Sequence, residues 1–294
     1  MEYYNKKIIM SKHCYLCGDN KFIVKNKKTR DNNNVSVVQC RRCLLTSLSS
    51  FAHLKKISYE RGDMHEVVAN SIRDYRKLLR NFYNDDLRRF EQWKKVIKNK
   101  SVLDFGCGAG GFLQLAQRVA RQVKGVELDK IVRFYNKNIE VKKNIDEYKE
   151  KFDVITLFHV LEHLPDPISF LRKLKKNLKS RGKIIIEVPS DDDALISYYK
   201  LQAFKDFTYW SLHLYSYNKK TLAKICQRAG FSNVKIDFFQ RYPLANHIGW
   251  LKDGRPGGHN VYKELNGSDL NEQYARQLRK IGACDTLVAV FKKN

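Results

Sequence analysis

Four cysteines near the start of the chain have the spacing of a metal site. They form two Cys-x-x-Cys pairs, Cys14 with Cys17 and Cys40 with Cys43, and the segment between the pairs reads as strand, polar turn and strand. Zn²⁺ prefers four such ligands in a tetrahedron, and each Cys-x-x-Cys turn supplies two thiolates. The spacing therefore predicts a zinc ribbon of two facing turns. Two redox-active or merely buried thiol pairs are the alternative.

A glycine-rich turn is the second candidate site. Residues 101–127 read as a strand, the turn, a helix and a second strand that ends in an acid, and the turn satisfies the pattern G-x-G-x-x-G over 106–111. In a dinucleotide-binding fold this turn holds a pyrophosphate. Asp104, at the carboxyl end of the first strand, would repel a pyrophosphate and instead suits a ligand with an ammonium group and a sulfonium. Glu127 can accept hydrogen bonds from both ribose hydroxyls of such a ligand.

Several segments together resemble the class I S-adenosylmethionine-dependent methyltransferases. VLDFGCGAG (102–110) looks like their first motif, and GVELD (125–129) looks like the acidic end of their second strand. Three further segments are similar to later motifs of the family: FDVITLFHVLEHLPDP (152–167), GKIIIEVP (182–189) and SLHLYSYNKKTLAKICQRAGF (211–231). The resemblance as a whole covers residues 100–294. The resemblance implies S-adenosylmethionine as cofactor and a cofactor site formed by Asp104, Gly106, Cys107, Gly108, Gly110, Phe112, Glu127, Leu128 and His159.

The elements that must position these residues alternate between strands and helices. Such alternation predicts an α/β fold with a doubly wound, Rossmann-like parallel sheet, and the resemblance adds that the sheet has seven strands, of which the last is antiparallel. The predicted organisation is a zinc ribbon over 1–56, a helical linker of two helices over 57–100, and a methyltransferase domain over 101–294 that carries a substrate lid at 190–218.

Histidines near the predicted carboxyl ends of the strands are candidates for catalysis. A hydroxyl or carbon acceptor is a weak nucleophile, so its proton must be removed as the methyl group is transferred, and an imidazole suits that task at neutral pH. His213, which precedes the strand-like YSY of 215–217, is the first candidate base and His247 is the second. By resemblance His159 contacts the cofactor, whereas His163 reads equally well as structural.

The sequence says less about which residues bind the methyl acceptor than about the cofactor site. The lid contains eight aromatic side chains between 198 and 217, which suit either stacking on a sugar or base or packing against the sheet. The segment 249–263 is rich in glycine and cations, and it predicts either a diphosphate site or an ordinary surface loop. The ribbon joined to this core resembles methyltransferases of nucleotide sugars and surface polysaccharides, which implies a small-molecule or glycan substrate, either with or without phosphate.

Composition limits the remaining alternatives. The chain has 294 residues and a formal charge of +25, which reflects either selection for an anionic partner or a Lys- and Asn-rich composition. No apolar run is long enough to span a bilayer, and no signal peptide is evident, so a cytoplasmic protein is expected. The leading hypothesis is methyl transfer to a sugar. The alternatives are an RNA methyltransferase whose basic surface and ribbon hold the nucleic acid, and a non-enzymatic binding module.

Overall fold

Hydrophobic segments separated by helices build one large mixed sheet. The structure is a computed structural model that describes residues 12–56, 71–136 and 138–293. Along these residues the strands are β1 (Phe22–Asn26), β2 (Val37–Cys40), β3 (Thr46–Leu48), β4 (Ser101–Phe105), β5 (Gln122–Val126), β6 (Glu140–Lys142), β7 (Phe152–Phe158), β8 (Leu178–Pro189), β9 (Tyr215–Ser216), β10 (Lys235–Phe239) and β11 (Thr286–Lys292). The large sheet has seven strands in the order β10-β11-β8-β7-β4-β5-β6, with β11 antiparallel to both neighbours. The predicted seven-stranded α/β fold is confirmed.

Successive residues of the central strands point to two separate apolar clusters, one on each face of the sheet. Leu103 and Ile155 belong to one cluster, and Val102 and Val154 belong to the other, as the two-residue period of a strand requires. Along the described residues the helices are, in chain order, α1 (Ile72–Ile97), α2 (Gly111–Ala116), α3 (Lys130–Tyr135), α4 (Pro167–Leu174), α5 (Ala194–Ser197), α6 (Gln202–Thr208), α7 (Lys219–Arg228), α8 (Leu244–Asp253), α9 (Gly258–Val261) and α10 (Ser268–Ile281). Not one of these helices has the length and apolar character needed to cross a membrane.

The predicted helical linker is represented by α1. This helix has 26 residues, and Ser71 caps it by accepting a hydrogen bond from the backbone of Asp74. Its buried residues Phe90 and Ile97 pack in the same cluster as the strands β4 and β7, so α1 is part of the wall of the main domain. The segment 57–70, where the other predicted helix would lie, is outside the described residues.

The cysteine-rich segment forms a second, four-stranded sheet in the order β1-β2-β3-β9. Its hairpin matches the predicted strand, turn and strand, but its fourth strand, β9, comes from the end of the segment predicted as a lid. Cys14, Leu16 and Cys40 are buried in the same apolar cluster as the residues of β7 and β8. The ribbon is therefore packed continuously against the methyltransferase domain.

Buried carboxylates fasten the segment 190–218 to the ribbon. Asp191, which is 3% exposed, accepts hydrogen bonds from the Thr46 hydroxyl at 2.6 Å, the Lys25 ammonium at 2.7 Å and the Tyr209 hydroxyl at 3.1 Å. Asp31, in the turn after β1, accepts a hydrogen bond from the Ser211 hydroxyl at 2.6 Å. These contacts hold in place the part of the chain that carries Trp210 and His213.

Candidate active site

A cavity of about 390 Å³ opens beyond the carboxyl ends of β4, β5 and β7. Open α/β sheets bind their ligands at this edge. The residues predicted from sequence that line the cavity are Asp104, Gly106, Cys107, Gly108, Gly110, Glu127, Leu128, His159 and His213. Phe112 does not line it, because its ring is buried in the core, edge-on to Phe158 with ring centroids 5.0 Å apart.

The glycine-rich turn forms one wall of the cavity. Gly106 has φ +72°, and a Cβ at this position would lie 2.5 Å from Val160 Cγ2, so a side chain does not fit. Gly108 has φ +49°, and a Cβ there would meet no atom within 4 Å, because the position faces open space. A bound ligand can therefore approach the backbone closely at Gly108. This cradle is the feature that a cofactor of the predicted kind requires.

Two acids flank the turn. Asp104 is 3% exposed and accepts a hydrogen bond from the Thr156 hydroxyl at 2.6 Å, and burial raises the pKa of its carboxyl to about 7. Glu127 accepts hydrogen bonds from the backbone N–H groups of Gly108 at 2.8 Å, Leu128 at 2.7 Å and Asp129 at 3.0 Å. These three bonds fix the carboxylate at the rim, with remaining lone pairs for ligand hydroxyls. The residues present thus fit the ribose and amino groups of S-adenosylmethionine.

Helix α1 contributes charged residues to the cavity that the sequence analysis did not identify. Asp85, Asp86 and Arg89 line the cavity, and burial raises the pKa of Asp86 to about 6. Arg89 and its neighbour Arg88 both donate to Glu187 of β8, each with an N···O distance of 2.8 Å. One feature of the sequence could have identified them: Asp86 and Arg89 lie on the apolar stripe of an amphipathic helix. A charged side chain at such a position needs a buried partner.

His159 connects this ion-pair network to the turn after β7. It has φ +56°, and its backbone N–H donates to the carbonyl of Glu187 at 2.8 Å. Its ring Nδ1 lies 3.1 Å from Glu162 Oε1, and its Nε2 lies 3.2 Å from Arg241 Nη1 and 3.3 Å from Glu187 Oε1. Burial lowers the pKa of this imidazole, but the hydrogen bonds to Glu162 and Glu187 outweigh burial and raise it.

A group of three rings, from His163, Trp210 and His213, also lines the cavity. The centroid of the His213 ring lies 4.8 Å from that of His163 and 5.3 Å from that of Trp210. Burial and the neighbouring His163 lower the pKa of His213 to about 3. His213 is therefore neutral at pH 7, so it can accept a hydrogen bond, but it is a weaker base than the sequence analysis expects.

His247 lies away from this cavity. It is 2% exposed, its Nδ1 lies 2.6 Å from the Tyr274 hydroxyl, and its Nε2 lies 3.2 Å from the amide nitrogen of Gln240. Burial lowers its pKa to about 4. The structure thus brings His213 to the cavity but places His247, the second candidate base, in a packed polar contact of α8.

The glycine-rich segment 249–263 also lies outside the cavity lining. It contains the end of α8 and the short helix α9, which cross closely, since a Cβ on Gly249 would lie 2.5 Å from the Cα of Gly258. These two glycines allow the helices to pack together. The segment therefore does not form the diphosphate cradle at the cavity that its composition suggests.

The four ribbon cysteines converge on one point. Their sulfur atoms all lie within 4.8 Å of one another, with 3.5 Å between Cys14 and Cys43 and 3.5 Å between Cys17 and Cys40. Tetrahedral zinc with Zn–S bonds of about 2.3 Å separates its sulfur ligands by roughly 3.8 Å. The donor set and its spacing fit a structural zinc ion.

Comparison with known proteins identifies relatives among methyltransferases. The tRNA U34 carboxymethyltransferase of Nautilia profundicola is 27% identical over 196 residues, which cover 58% of this chain and 63% of the relative. A ubiquinone biosynthesis O-methyltransferase of Hydrogenovibrio crunogenus is 30% identical over 99 residues, covering 29% of this chain and 41% of the relative. The matches thus span less than two thirds of the length of these curated relatives.

A family model covers more than half of the chain. The model, described as a methyltransferase domain, matches residues 74–236. This region includes all but the first two residues of α1, the glycine-rich turn and the cavity residues of β5 and β7. Among solved structures, a SAM-dependent methyltransferase from Archaeoglobus fulgidus is 24% identical and has a TM-score of 0.49, and the match covers 73% of this chain and 94% of that one. The chain therefore belongs to the class I S-adenosylmethionine-dependent methyltransferases.

Proposed function

We propose that the chain transfers a methyl group from S-adenosylmethionine to a hydroxyl oxygen of a sugar, and that the part of this sugar that enters the cavity is compact and uncharged. The observation that carries the proposal is that two different sets of residues line one cavity. The glycine-rich turn with Asp104 and Glu127 is one set, which we call the cofactor end, and Trp210 with His163 and His213 is the other, which we call the acceptor end. A cofactor at the first end leaves the second for the acceptor.

The residues of the first end would bind and orient the cofactor. When bound, S-adenosylmethionine supplies an electrophilic methyl group on a sulfonium. Glu127 would accept hydrogen bonds from the ribose hydroxyls, and the Gly108 backbone would allow close approach of the ligand. Asp104 lies where a carboxylate can hold the ammonium group. Alignment of donor and acceptor is the main contribution that such an enzyme makes to an in-line transfer.

Charge in the cavity supports an uncharged acceptor. Among the described residues, four carboxylates line it, and the two arginines of this lining are both engaged by acids: Arg89 pairs with Glu187 at 2.8 Å, and Arg241 pairs with Asp85. A phosphate inside the cavity would have to break one of these pairs. The reacting part of the acceptor therefore carries no phosphate, whereas the face of Trp210 and the imidazole nitrogens suit the apolar face and hydroxyls of a sugar.

The experiment that tests this function measures transfer of labelled methyl groups from S-adenosylmethionine. A panel of nucleotide sugars, polysaccharide fragments, quinone-like phenols and total RNA is incubated with the protein, and labelled products are identified by mass spectrometry. We expect an O-methylated sugar. Label exclusively in phenol, RNA or an amine would refute the sugar assignment while retaining methyl transfer.

A nucleic acid is the second candidate acceptor. The observation that favours it is the similarity over 196 residues to a tRNA U34 carboxymethyltransferase, together with the formal charge of +25. The two candidates differ in their dependence on salt. Affinity for RNA falls steeply as salt rises because each neutralised phosphate releases counterions, whereas an uncharged sugar shows no such slope.

Removing either acid of the cofactor end is expected to weaken binding of S-adenosylhomocysteine. A hydrogen bond to a charged group contributes about 1.5–3 kcal/mol, so Asp104→Ala and Glu127→Ala should each raise the Kd by roughly 10- to 150-fold. Isothermal titration calorimetry measures this change. Glu272→Ala is the control, because its side chain is 71% exposed on α10. Wild-type affinity in both acid variants would refute the placement of the cofactor.

We also propose that Cys14, Cys17, Cys40 and Cys43 bind one structural zinc ion. Metal analysis of protein purified without chelator should give one zinc per chain, and Cys14→Ser should lose it. The control is Cys226→Ser, because Cys226 is a buried thiol outside the ribbon. Since the ribbon holds the segment with Trp210 and His213, zinc loss should reduce turnover more than affinity for S-adenosylhomocysteine. Zinc-free wild-type protein with normal turnover would contradict this proposal.

A further inference from the structure

Three potential metal ligands outside the ribbon meet at the acceptor end of the cavity. One ligand atom each from Glu162, His163 and His213 lies within 4.8 Å of the other two. His163 and His213 line the cavity, whereas Glu162 is 1% exposed and is not among the lining residues. The function proposed above gives the two imidazoles a contact with the acceptor. It gives Glu162 no role, and it does not explain why the three ligand atoms lie so close together.

The carboxylate of Glu162 has one oxygen without a partner. Its Oε1 lies 3.1 Å from His159 Nδ1, but Oε2 is buried and has no hydrogen-bond partner among the residues that the structure describes. A buried anionic oxygen without a donor or a cation is energetically costly, because it has lost its hydration. A cation bound at Oε2 would offset this cost.

The two imidazoles are prepared to present lone pairs. His163 Nδ1 lies 2.8 Å from the backbone carbonyl of Leu212, and this bond requires Nδ1 to carry the proton, which leaves a lone pair on Nε2. Histidines that bind metals usually donate their other ring N–H to a carbonyl or carboxylate in this way. Within the described residues, the ring nitrogens of His213 make no hydrogen bond to another side chain or to the backbone, so they are available.

Backbone contacts fix the relative positions of the two histidines. The N–H of Leu214 donates to the carbonyl of Glu162 at 2.8 Å, and the N–H of His213 donates to the carbonyl of Trp210 at 3.0 Å. The segment that carries His213 is also fastened to the ribbon through Ser211 and Asp31. The three donors are thus held by two stretches of chain that are hydrogen-bonded to each other.

We propose that Glu162, His163 and His213 bind a divalent first-row transition-metal ion. Two imidazoles and one carboxylate form a ligand set that such ions accept, and it leaves coordination positions open toward the cavity. His159 would then act as the positioning residue that orients the carboxylate, as residues behind metal ligands commonly do. This site is distinct from the ribbon, whose four thiols suit zinc.

The role of the ion in the reaction rests on the function proposed above, whereas its binding does not. An ion at this position can bind the acceptor oxygen and lower the pKa of its hydroxyl, as metal ions do for water. The hydroxyl proton is then lost to solvent, the oxygen forms the new C–O bond, and the electron pair of the broken C–S bond returns to the sulfur. His213 acts here as a ligand, and the base expected from sequence is no longer needed.

The test measures metal binding directly. Tag-free protein with zinc in its ribbon is titrated with Mn²⁺ and, separately, with a second equivalent of Zn²⁺, by calorimetry and by electron paramagnetic resonance for Mn²⁺. We expect one additional ion per chain. Glu162→Gln and His213→Ala should weaken its binding by at least about 10- to 100-fold, and His247→Ala, which is buried away from the cluster, should bind normally.

The outcomes separate the metal site from the methyltransferase function. If wild-type protein binds neither Mn²⁺ nor a second Zn²⁺ but binds S-adenosylhomocysteine, the metal site is refuted and the function stands. If it binds an ion but no S-adenosylhomocysteine, the function fails. Circular dichroism verifies that each variant is folded. His213 is only partly buried, so we expect His213→Ala to fold and to test the site even if Glu162→Gln does not fold. Unchanged ion affinity in a folded His213→Ala variant also refutes the site.

Discussion

Glu187→Gln is expected to lower the free energy of unfolding by about 3–5 kcal/mol, the usual cost of removing one partner from a buried ion pair. Glu187 is fully buried on β8 and accepts hydrogen bonds from both Arg88 and Arg89. The glutamine variant leaves two guanidinium groups in the protein interior without this anion. Asp85 and Asp86 on the same helix remain near them, so the loss should fall at the lower end of this range.

The pH dependence of this difference has a definite sign. Burial alone would raise the pKa of Glu187, but His159 and the two arginines hold it well below 4.5. A carboxyl with a depressed pKa in the folded state stabilises the protein above its unfolded pKa, and this contribution is lost as the pH falls toward the folded value. The difference between wild type and Glu187→Gln should therefore be largest near neutral pH and shrink below about pH 4.

Chemical denaturation at several pH values measures this effect, and Glu91→Gln provides a matched control on the same helix. Glu91 pairs with Lys94 three residues away, but both side chains are about half exposed. Solvent and salt screen such pairs, so their loss costs about 0–1 kcal/mol. Equal destabilisation by the two substitutions would show that the buried network does not hold α1 on the sheet.

The glycine-rich turn could be predicted from sequence because its determinants are local. A buried strand, glycines that need positive φ and an acid at the next strand end all lie within residues 101–127. The same reasoning gave the order of strands and helices around it. The start of α4 also has a local cause, since Asp166 caps the helix and Pro167 lies in its first turn.

Residues whose function depends on distant partners could not be located in this way. Asp86 and Arg89 acquire their places through contacts with β8 and α2, which are far away in sequence. His213 and His247 look alike in sequence, each beside hydrophobic residues near a predicted strand. The structure separates them because β9 joins the ribbon sheet and carries His213 to the cavity, whereas α8 packs His247 against Tyr274.

The segment 190–218, which the sequence predicts as a lid, is fastened to the ribbon, so the acceptor end is a fixed part of the fold. A lid opens and closes, but Asp191 and Asp31 tie this segment to the cysteine-rich sheet through buried hydrogen bonds. Trp210 and His213 are thus presented on a fixed support, and the cysteines stabilise that support from outside the cavity. A preformed acceptor end is consistent with catalysis by alignment.

His213→Ala is expected to lower kcat by about 10²- to 10⁴-fold, with the Kd of S-adenosylhomocysteine nearly unchanged. His213 lines the cavity beside His163 and Trp210. Loss of its imidazole would remove the group that we propose contacts the acceptor hydroxyl, directly or through a bound ion, and would leave the residues of the cofactor end in place. Single-turnover methyl transfer and calorimetry measure the two quantities separately.

His247→Ala is the matched comparison for this prediction. Both histidines have pKa values that burial depresses, to about 3 for His213 and about 4 for His247, so the two variants remove similar neutral rings. The loss of the contacts to Tyr274 and Gln240 should lower stability while turnover stays close to wild type. If His213→Ala retains full turnover on the true acceptor, the acceptor is already nucleophilic, as an amine or anion would be, and the hydroxyl assignment is wrong.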